Sequence, residues 1–242
     1  MKKVILLLCL FIGLSSIAQN ATKRFALLSE SKVKEIDVYK KNLPVTDAFA
    51  RKIWEGVMGN RAVHQSETGS LYTFSFVDGE ENFGKFITIR GTFNNKFKEA
   101  YPKIADENWA NIDGSFRRST WIRVNALEFL PADFKLENYN FRKVIIETVP
   151  SNQQEAYEKE QLKLHEIELK IGIKFLSVTW KAIDGYSTNT YMTLIPDNSI
   201  LDFYTHFTER QKIRKNSKEY NDFNNTTVIT NINRIDHLWR IH

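Results

Sequence analysis

Polar and aromatic side chains alternate along segments with the composition of β-strands, in a pattern that could bind an oxygen-rich or aromatic molecule. Trp121, Arg123 and Asn125 share one face of such a segment, because successive side chains of a strand point to opposite sides. Their indole, guanidinium and amide groups donate hydrogen bonds, and a buried donor without a partner costs about 1–3 kcal/mol. Matching positions on other predicted strands complete a set of eight candidate ligand-binding residues: Arg90, Trp121, Arg123, Asn125, Tyr191, Thr193, Asn231 and Asn233.

An alternative interpretation gives the same residues a purely structural role. Arg123 could form an ion pair with Glu128 or Asp236, and the asparagines could satisfy the backbone of turns. The spacing of the residues leaves both interpretations open.

Nucleophilic and metal-based chemistry has little support in the sequence. The single cysteine, Cys9, lies in an apolar N-terminal stretch, and no serine-hydrolase, P-loop or dinucleotide-binding signature occurs. The five histidines do not follow a zinc-ligand spacing, so we expect no metal site. His64, in a predicted loop, is a candidate general base that could swing over a pocket.

The N-terminal residues have the features of a secretory signal peptide. Lys2 and Lys3 precede an apolar run over residues 4–14, and small residues lead to a predicted cleavage site after Ala18. We therefore expect a secreted or periplasmic protein with no membrane span after the signal. The net charge of +5 falls to +3 without the two lysines, an excess too small to predict nucleic-acid binding.

The densest basic segment runs from Arg210 to Lys218 and includes Lys212, Arg214 and Lys215. Such a run is typical of a solvated helix face. An anionic polysaccharide could also bind there, so a polysaccharide- or protein-binding module is an alternative to small-molecule binding. We expect a monomer or a weak dimer.

An internal repeat predicts the elements that would position these residues. Leu43-Pro44 is echoed by Val149-Pro150, and Val77-Asp78-Gly79 by Ile183-Asp184-Gly185, at an offset of about 106 residues. Each copy is interpreted as strand, helix, strand, strand, helix, strand. The first copy is predicted to have strands at residues 36–43, 71–77, 86–90 and 119–127.

This pattern predicts an α+β fold class, with two tandem ferredoxin-like βαββαβ repeats that form an intrachain pseudo-dimeric barrel. The predicted organisation is a signal peptide (1–18), a lead-in (19–34), a first repeat (35–130), a linker (131–140) and a second repeat (141–242). One face of the strands is predicted to pack under the helices, and it carries Tyr72, Phe74, Phe76, Val178, Trp180 and Ala182.

The element order resembles that of the dimeric α+β barrel superfamily, in a tandem-repeat form. That superfamily includes antibiotic-biosynthesis-type monooxygenases and haem-binding chlorite-dismutase-like proteins. The resemblance implies two alternatives: a cofactor-free oxygenase, isomerase or cyclase that uses Trp121, Asn125 or a histidine, and a haem protein with His165 as axial ligand. We expect no cofactor. The leading hypothesis is a small oxygen-rich or aromatic ligand bound between the repeats, with catalysis undecided.

Overall fold

The computed structural model describes residues 22–131, 133–135, 138–225, 227–228 and 230–242, so the predicted signal peptide lies outside the described residues. The described residues form eight strands and six helices in the order β1 (Arg24–Val33), α1 (Ile36–Ile53), β2 (Arg61–Ser66), β3 (Leu71–Asp78), α2 (Glu80–Ala100), α3 (Pro102–Asn111), β4 (Ile112–Phe129), β5 (Phe141–Thr148), α4 (Gln154–Lys170), β6 (Ser177–Asp184), β7 (Thr190–Asp197), α5 (Ile200–Lys215), α6 (Lys218–Asn224) and β8 (Asn231–Arg240). No helix in this described part of the chain combines the length and apolar character that a membrane span requires.

The eight strands form one closed antiparallel barrel in the order β1-β3-β2-β8-β5-β7-β6-β4, with β4 returning to β1. Each half of the chain contributes four neighbouring strands. The β2–β8 and β4–β6 ladders join the two halves, so hydrogen bonds run around the whole circumference. Closure leaves no unpaired sheet edge between the halves.

The prediction of two tandem ferredoxin-like repeats is wrong, because the strands form a single closed eight-stranded barrel and the echoed residues occupy different elements. Leu43-Pro44 lies inside helix α1, whereas Val149-Pro150 follows strand β5. Val77-Asp78-Gly79 leads from β3 into helix α2, whereas Ile183-Asp184-Gly185 leads from β6 into the turn before β7. Residues about 106 positions apart in the sequence therefore do not occupy equivalent positions in the two halves of the fold.

Two strands predicted in the first half are helical. Residues 36–43 begin α1, and the first strand is β1, inside the stretch expected to be a lead-in. Residues 86–90 belong to α2, whose aromatic side chains pack against Trp54, with ring centroids 4.8 Å away for both Phe86 and Phe93. This tertiary packing outweighs the strand preference of the local sequence.

The two faces of strands β3 and β6 are reversed relative to the prediction. Tyr72, Phe74, Trp180 and Ala182 point into the barrel and form its buried core, together with Trp121 and Met192 among others. The helices cover the opposite, outer face. In the first half, for example, Phe25, Leu27 and Val77 of the sheet pack against Ala50, Trp54 and Phe86.

Gly185, in the β6–β7 turn, is required by both its conformation and its surroundings. Its φ is +83°, and an added Cβ would lie 2.5 Å from the Arg118 carbonyl oxygen and 2.7 Å from the Ser119 Cβ. We expect Gly185→Ala to lower the free energy of unfolding by about 1–3 kcal/mol more than Gly69→Ala does. Gly69 is the matched control, because its φ is +79° with nothing within 4 Å of an added Cβ. Equal losses in urea denaturation would contradict the steric argument.

Candidate functional site

One end of the barrel opens into a cavity of about 580 Å³. Beyond it the barrel interior is filled by the buried core. The apolar part of the cavity wall includes Phe76, Leu130, Phe134, Val178, Trp180 and Leu194. The polar part includes Arg24, Asn60, Asp78, Arg123, Glu128, Lys135 and Arg142. An apolar cavity with a few polar groups is the usual form of a small-molecule site.

Arg142 is a fully buried cation at the inner part of this cavity. Strand β5 aims it inward, because Arg142 alternates with the core residues Val144 and Ile146. Its Nε and both Nη atoms have no hydrogen-bond partner among the described residues. Burial, reinforced by the positive charge of Arg240, lowers the pKa of Arg142 to about 9. The guanidinium is therefore still charged at neutral pH.

Trp180 provides a second unused donor in the lining of the same cavity. Strand β6 points it inward between Val178 and Ala182, and its ring centroid lies 5.6 Å from that of Phe76. The indole is buried, and no atom in the described ranges accepts a hydrogen bond from its Nε1. A buried indole N–H normally has a partner, so the pair of orphaned donors indicates that an acceptor is missing from the cavity.

Arg123 also lines the cavity, but its charge is neutralised. Its Nη1 donates to Glu128 Oε1 at 2.9 Å, its Nη2 lies 2.8 Å from Oε2, and its Nε donates to Asn125 Oδ1 at 3.3 Å. An irregularity in β4 brings the pair together: Arg123 lies opposite Trp180, and Glu128 lies opposite Val178, only two residues away on β6. The alternative prediction, that Arg123 forms an ion pair with Glu128, is thus confirmed.

His64 lies on strand β2, inside the barrel, and not in a loop as predicted. The ring is fully buried beside Phe74, with centroids 5.6 Å apart, and neither nitrogen has a partner in the part of the chain that is described. Burial lowers the pKa of His64 well below its ordinary value, and the positive charges of Arg142 and Arg240 lower it further. The imidazole is therefore neutral at neutral pH.

The opposite end of the barrel shows how this fold satisfies another inward-facing arginine. Arg234 donates to Glu30 at 2.7 Å and to Asp236 at 2.5 Å, and its guanidinium carbon lies 5.1 Å from the ring centroid of Tyr72. Arg234 thus has two carboxylates, whereas the more deeply buried Arg142 has none within the described residues.

The eight residues predicted to bind a ligand do not converge. Trp121 is buried in the barrel core and donates its Nε1 to Ser119 Oγ at 2.8 Å. Tyr191 faces outward, where its hydroxyl donates to Glu158 of α4 at 2.7 Å. Arg90 lies on helix α2, outside the sheet, and burial lowers its pKa to about 10, with Arg118 contributing in the same direction.

Most of the remaining candidates also lie away from the cavity. Thr193 Oγ1 lies 3.2 Å from Thr179 Oγ1, and Asn233 donates to Thr148 at 2.6 Å. Asn125 and Asn231 are exposed. Arg123 is the one member of the predicted set that lines the cavity. A ligand role for the other seven residues stays a prediction without support from this cavity.

The sequence did contain a signal for the residues that were missed. Arg142 interrupts an apolar face of β5, where Val144 and Ile146 follow at two-residue intervals. A charged residue on a face otherwise committed to burial indicates either a partner or a ligand. The alternation of residues predicts Trp180 on the helix-covered face, whereas it points into the barrel.

The residues do not fit a haem group. His165, on α4, has its ring stacked on Phe129 with centroids 3.6 Å apart, and its Nδ1 is buried without a partner in the described ranges. The described residues that line the cavity include no histidine. Burial lowers the pKa of His165. Nor do the described residues contain a group of three or more His, Cys, Asp or Glu side chains placed to hold a metal ion.

The basic segment from Arg210 to Lys218 is partly neutralised. Arg214 forms an ion pair with Glu168, which is almost fully buried. Arg210 lies over the ring of Phe175, with its guanidinium carbon 4.3 Å from the centroid. Part of this positive charge therefore serves packing between α5 and its neighbours.

Comparison with known proteins gives matches in structure only. No family model matches the chain, and no curated protein sequence is similar to it. A candidate monooxygenase from Fusobacterium nucleatum superposes with a TM-score of 0.57 and 11% identity, covering 92% of this chain and 94% of the other. A candidate monooxygenase from Lactobacillus acidophilus gives 0.55 and 10%, covering 92% and 95%. A haem-binding protein from Thermus thermophilus gives 0.52 and 9%, covering 91% and 92%.

These similarities extend over nearly the whole of each chain, but their sequence identities are too low to carry function. They agree with the closed barrel described above and with the resemblance drawn from the sequence. The chain has the dimeric α+β barrel fold.

Proposed function

We propose that the protein binds a small, oxygen-rich molecule with an apolar or aromatic body in the cavity at the end of the barrel. The observation that carries the proposal is Arg142, a fully buried guanidinium that lines the cavity and has no partner in the described part of the chain. An isolated buried charge is costly, and a ligand oxygen would offset that cost.

Trp180 and the apolar walls support the same proposal. The unused indole N–H can donate to a second ligand oxygen, while Phe76, Val178 and Leu194 offer contact area for a ring or hydrocarbon. The cavity volume of about 580 Å³ lies within the range of small-molecule sites, which is about 300–1,000 Å³.

Tryptophan fluorescence tests this proposal. We expect oxygen-rich aromatic compounds from a metabolite panel to change the emission of the protein through Trp180, which lines the cavity. Trp180→Phe should remove most of that change. Trp109→Phe should leave it intact, because Trp109 is 55% exposed on helix α3, away from the cavity. An emission change that survives Trp180→Phe would place the ligand elsewhere.

A second candidate function is cofactor-free oxygenation of an aromatic substrate in the same cavity. The observation in its favour is that Asn60 and Trp180 both line the cavity, since these residue types occur near the substrate in cofactor-free monooxygenases of this superfamily. If it holds, a compound that changes Trp180 emission will also be consumed together with dissolved O₂. An oxygen electrode checks this, and Asn60→Ala should slow the uptake without preventing binding. Binding without any oxygen uptake would exclude the oxygenase and support small-molecule binding alone.

A further inference from the structure

The charges around the cavity define the charge of its ligand, and this step rests on the proposed function. Arg123 is paired with Glu128, and Arg24 is paired with Asp78 at 3.0 Å. His64 is neutral because of its burial beside Arg142 and Arg240. Lys135 also lines the cavity, but it is exposed. Among the described residues, the buried part of the lining therefore presents one uncompensated positive charge, on Arg142, so a single negative charge on the ligand would balance it.

The burial of the lining residues defines the orientation of the ligand. Arg142 is fully buried and Trp180 is nearly so, whereas the side chains of Arg24 and Asp78 are 46% and 57% exposed. The orphaned donors thus lie at the inner end, and the Arg24–Asp78 pair lies at the rim. A ligand that satisfies the donors must place its charged group inward, with its apolar body along Phe76, Val178 and Leu194.

The shape of the donor set favours a carboxylate. A guanidinium presents its N–H groups in a planar fork that matches two carboxylate oxygens. The indole N–H of Trp180 lies in the same lining and is a further donor available to a ligand oxygen. A phosphate monoester carries nearly two negative charges at neutral pH. The second of these charges would lie against the apolar side chains of Val178 and Leu194.

We propose that the ligand of the cavity is an aromatic monocarboxylate that enters acid first and is held by Arg142 and Trp180. The rings of Phe76 and Trp180 provide the aromatic contact surface. The Arg123–Glu128 pair lies beside the entering molecule and requires no further partner.

Three probes with the same ring test this assignment by calorimetry: 2-naphthoate, neutral 2-naphthamide and 2-naphthyl phosphate. We expect 2-naphthoate to bind the intact protein about 30-fold more tightly than either of the other two. The preference over the amide should disappear in Arg142→Met. It should persist in Arg117→Met, the matched control, because Arg117 is exposed at the opposite end of the barrel. Arg142→Gln replaces the methionine variant if that variant does not fold.

The outcomes separate this assignment from the proposed function. Equal or tighter binding of the amide or the phosphate overturns the carboxylate assignment, and so does a preference that survives Arg142→Met. If no naphthalene probe binds but another neutral compound changes Trp180 emission, the assignment fails and the proposed function stands. If no compound in the panel changes that emission, both fail.

Discussion

Replacing Arg142 with methionine is expected to stabilise the unliganded protein by about 1–4 kcal/mol while abolishing its preference for an aromatic carboxylate. The guanidinium is fully buried without a partner in the described chain, so folding removes its hydration and returns nothing in exchange. Methionine fills a similar volume and has no charge to desolvate. A residue that costs stability and faces a cavity is the pattern expected of a binding site.

Arg234→Met is the matched control for this prediction, because Arg234 also points into the barrel but is paired with Glu30 and Asp236. Its removal leaves two partly buried carboxylates without their partner, so we expect a loss of about 1–3 kcal/mol. Urea denaturation should therefore give changes of opposite sign for the two arginines. A loss of stability in both variants would mean that Arg142 has a partner within the folded chain.

His64 is expected to make the protein sensitive to mild acid. Its pKa is well below the ordinary value in the folded state, because burial and the flanking Arg142 and Arg240 disfavour the charged ring. In the unfolded chain the pKa returns to about 6.5. Below that pH the unfolded state binds more protons than the folded state, so the free energy of unfolding falls by up to about 1.4 kcal/mol per pH unit.

The measurement compares wild type and His64→Gln between pH 6.5 and pH 5. Wild type should lose about 2 kcal/mol more stability over this range than the variant. The charged groups that face His64 are Arg142 from β5 and Arg240 from β8, and the neighbouring β3 contributes Phe74, which does not titrate. His206→Gln is the control, since His206 is half exposed and lies 3.0 Å from Asp197. Parallel curves for wild type and His64→Gln would show that His64 is accessible to protons in the folded protein.

The alternation of residues along the strands could be predicted from the sequence, but the side of the sheet that faces the interior could not. Phe74 and Trp180 were correctly placed together on one face, yet that face is the inside of the barrel. Both faces are covered in this fold, one by helices and one by the opposite wall. Apolar residues therefore appear on both, and hydrophobicity alone does not distinguish them.

The Arg123–Glu128 pair shows that a contact could be predicted from the sequence while its location in the fold could not. The pairing was one of the alternatives that the sequence left open, and it is confirmed. Its location beside Trp180 depends on the irregularity in β4 and on closure between β4 and β6, which a single-sequence pattern does not encode. Helix α2 was missed because Asp78-Gly79 resembles a hairpin turn, whereas Gly79 precedes the helix with φ at 85°.

A crystal structure of the protein with 2-naphthoate would show directly whether Arg142 binds a ligand carboxylate. We expect a carboxylate oxygen about 2.7–2.9 Å from the guanidinium of Arg142, with the ring lying between Trp180 and the apolar wall at Leu194. A naphthoate bound with its carboxylate toward solvent, or bound outside the barrel while Arg142 keeps no partner, would contradict it.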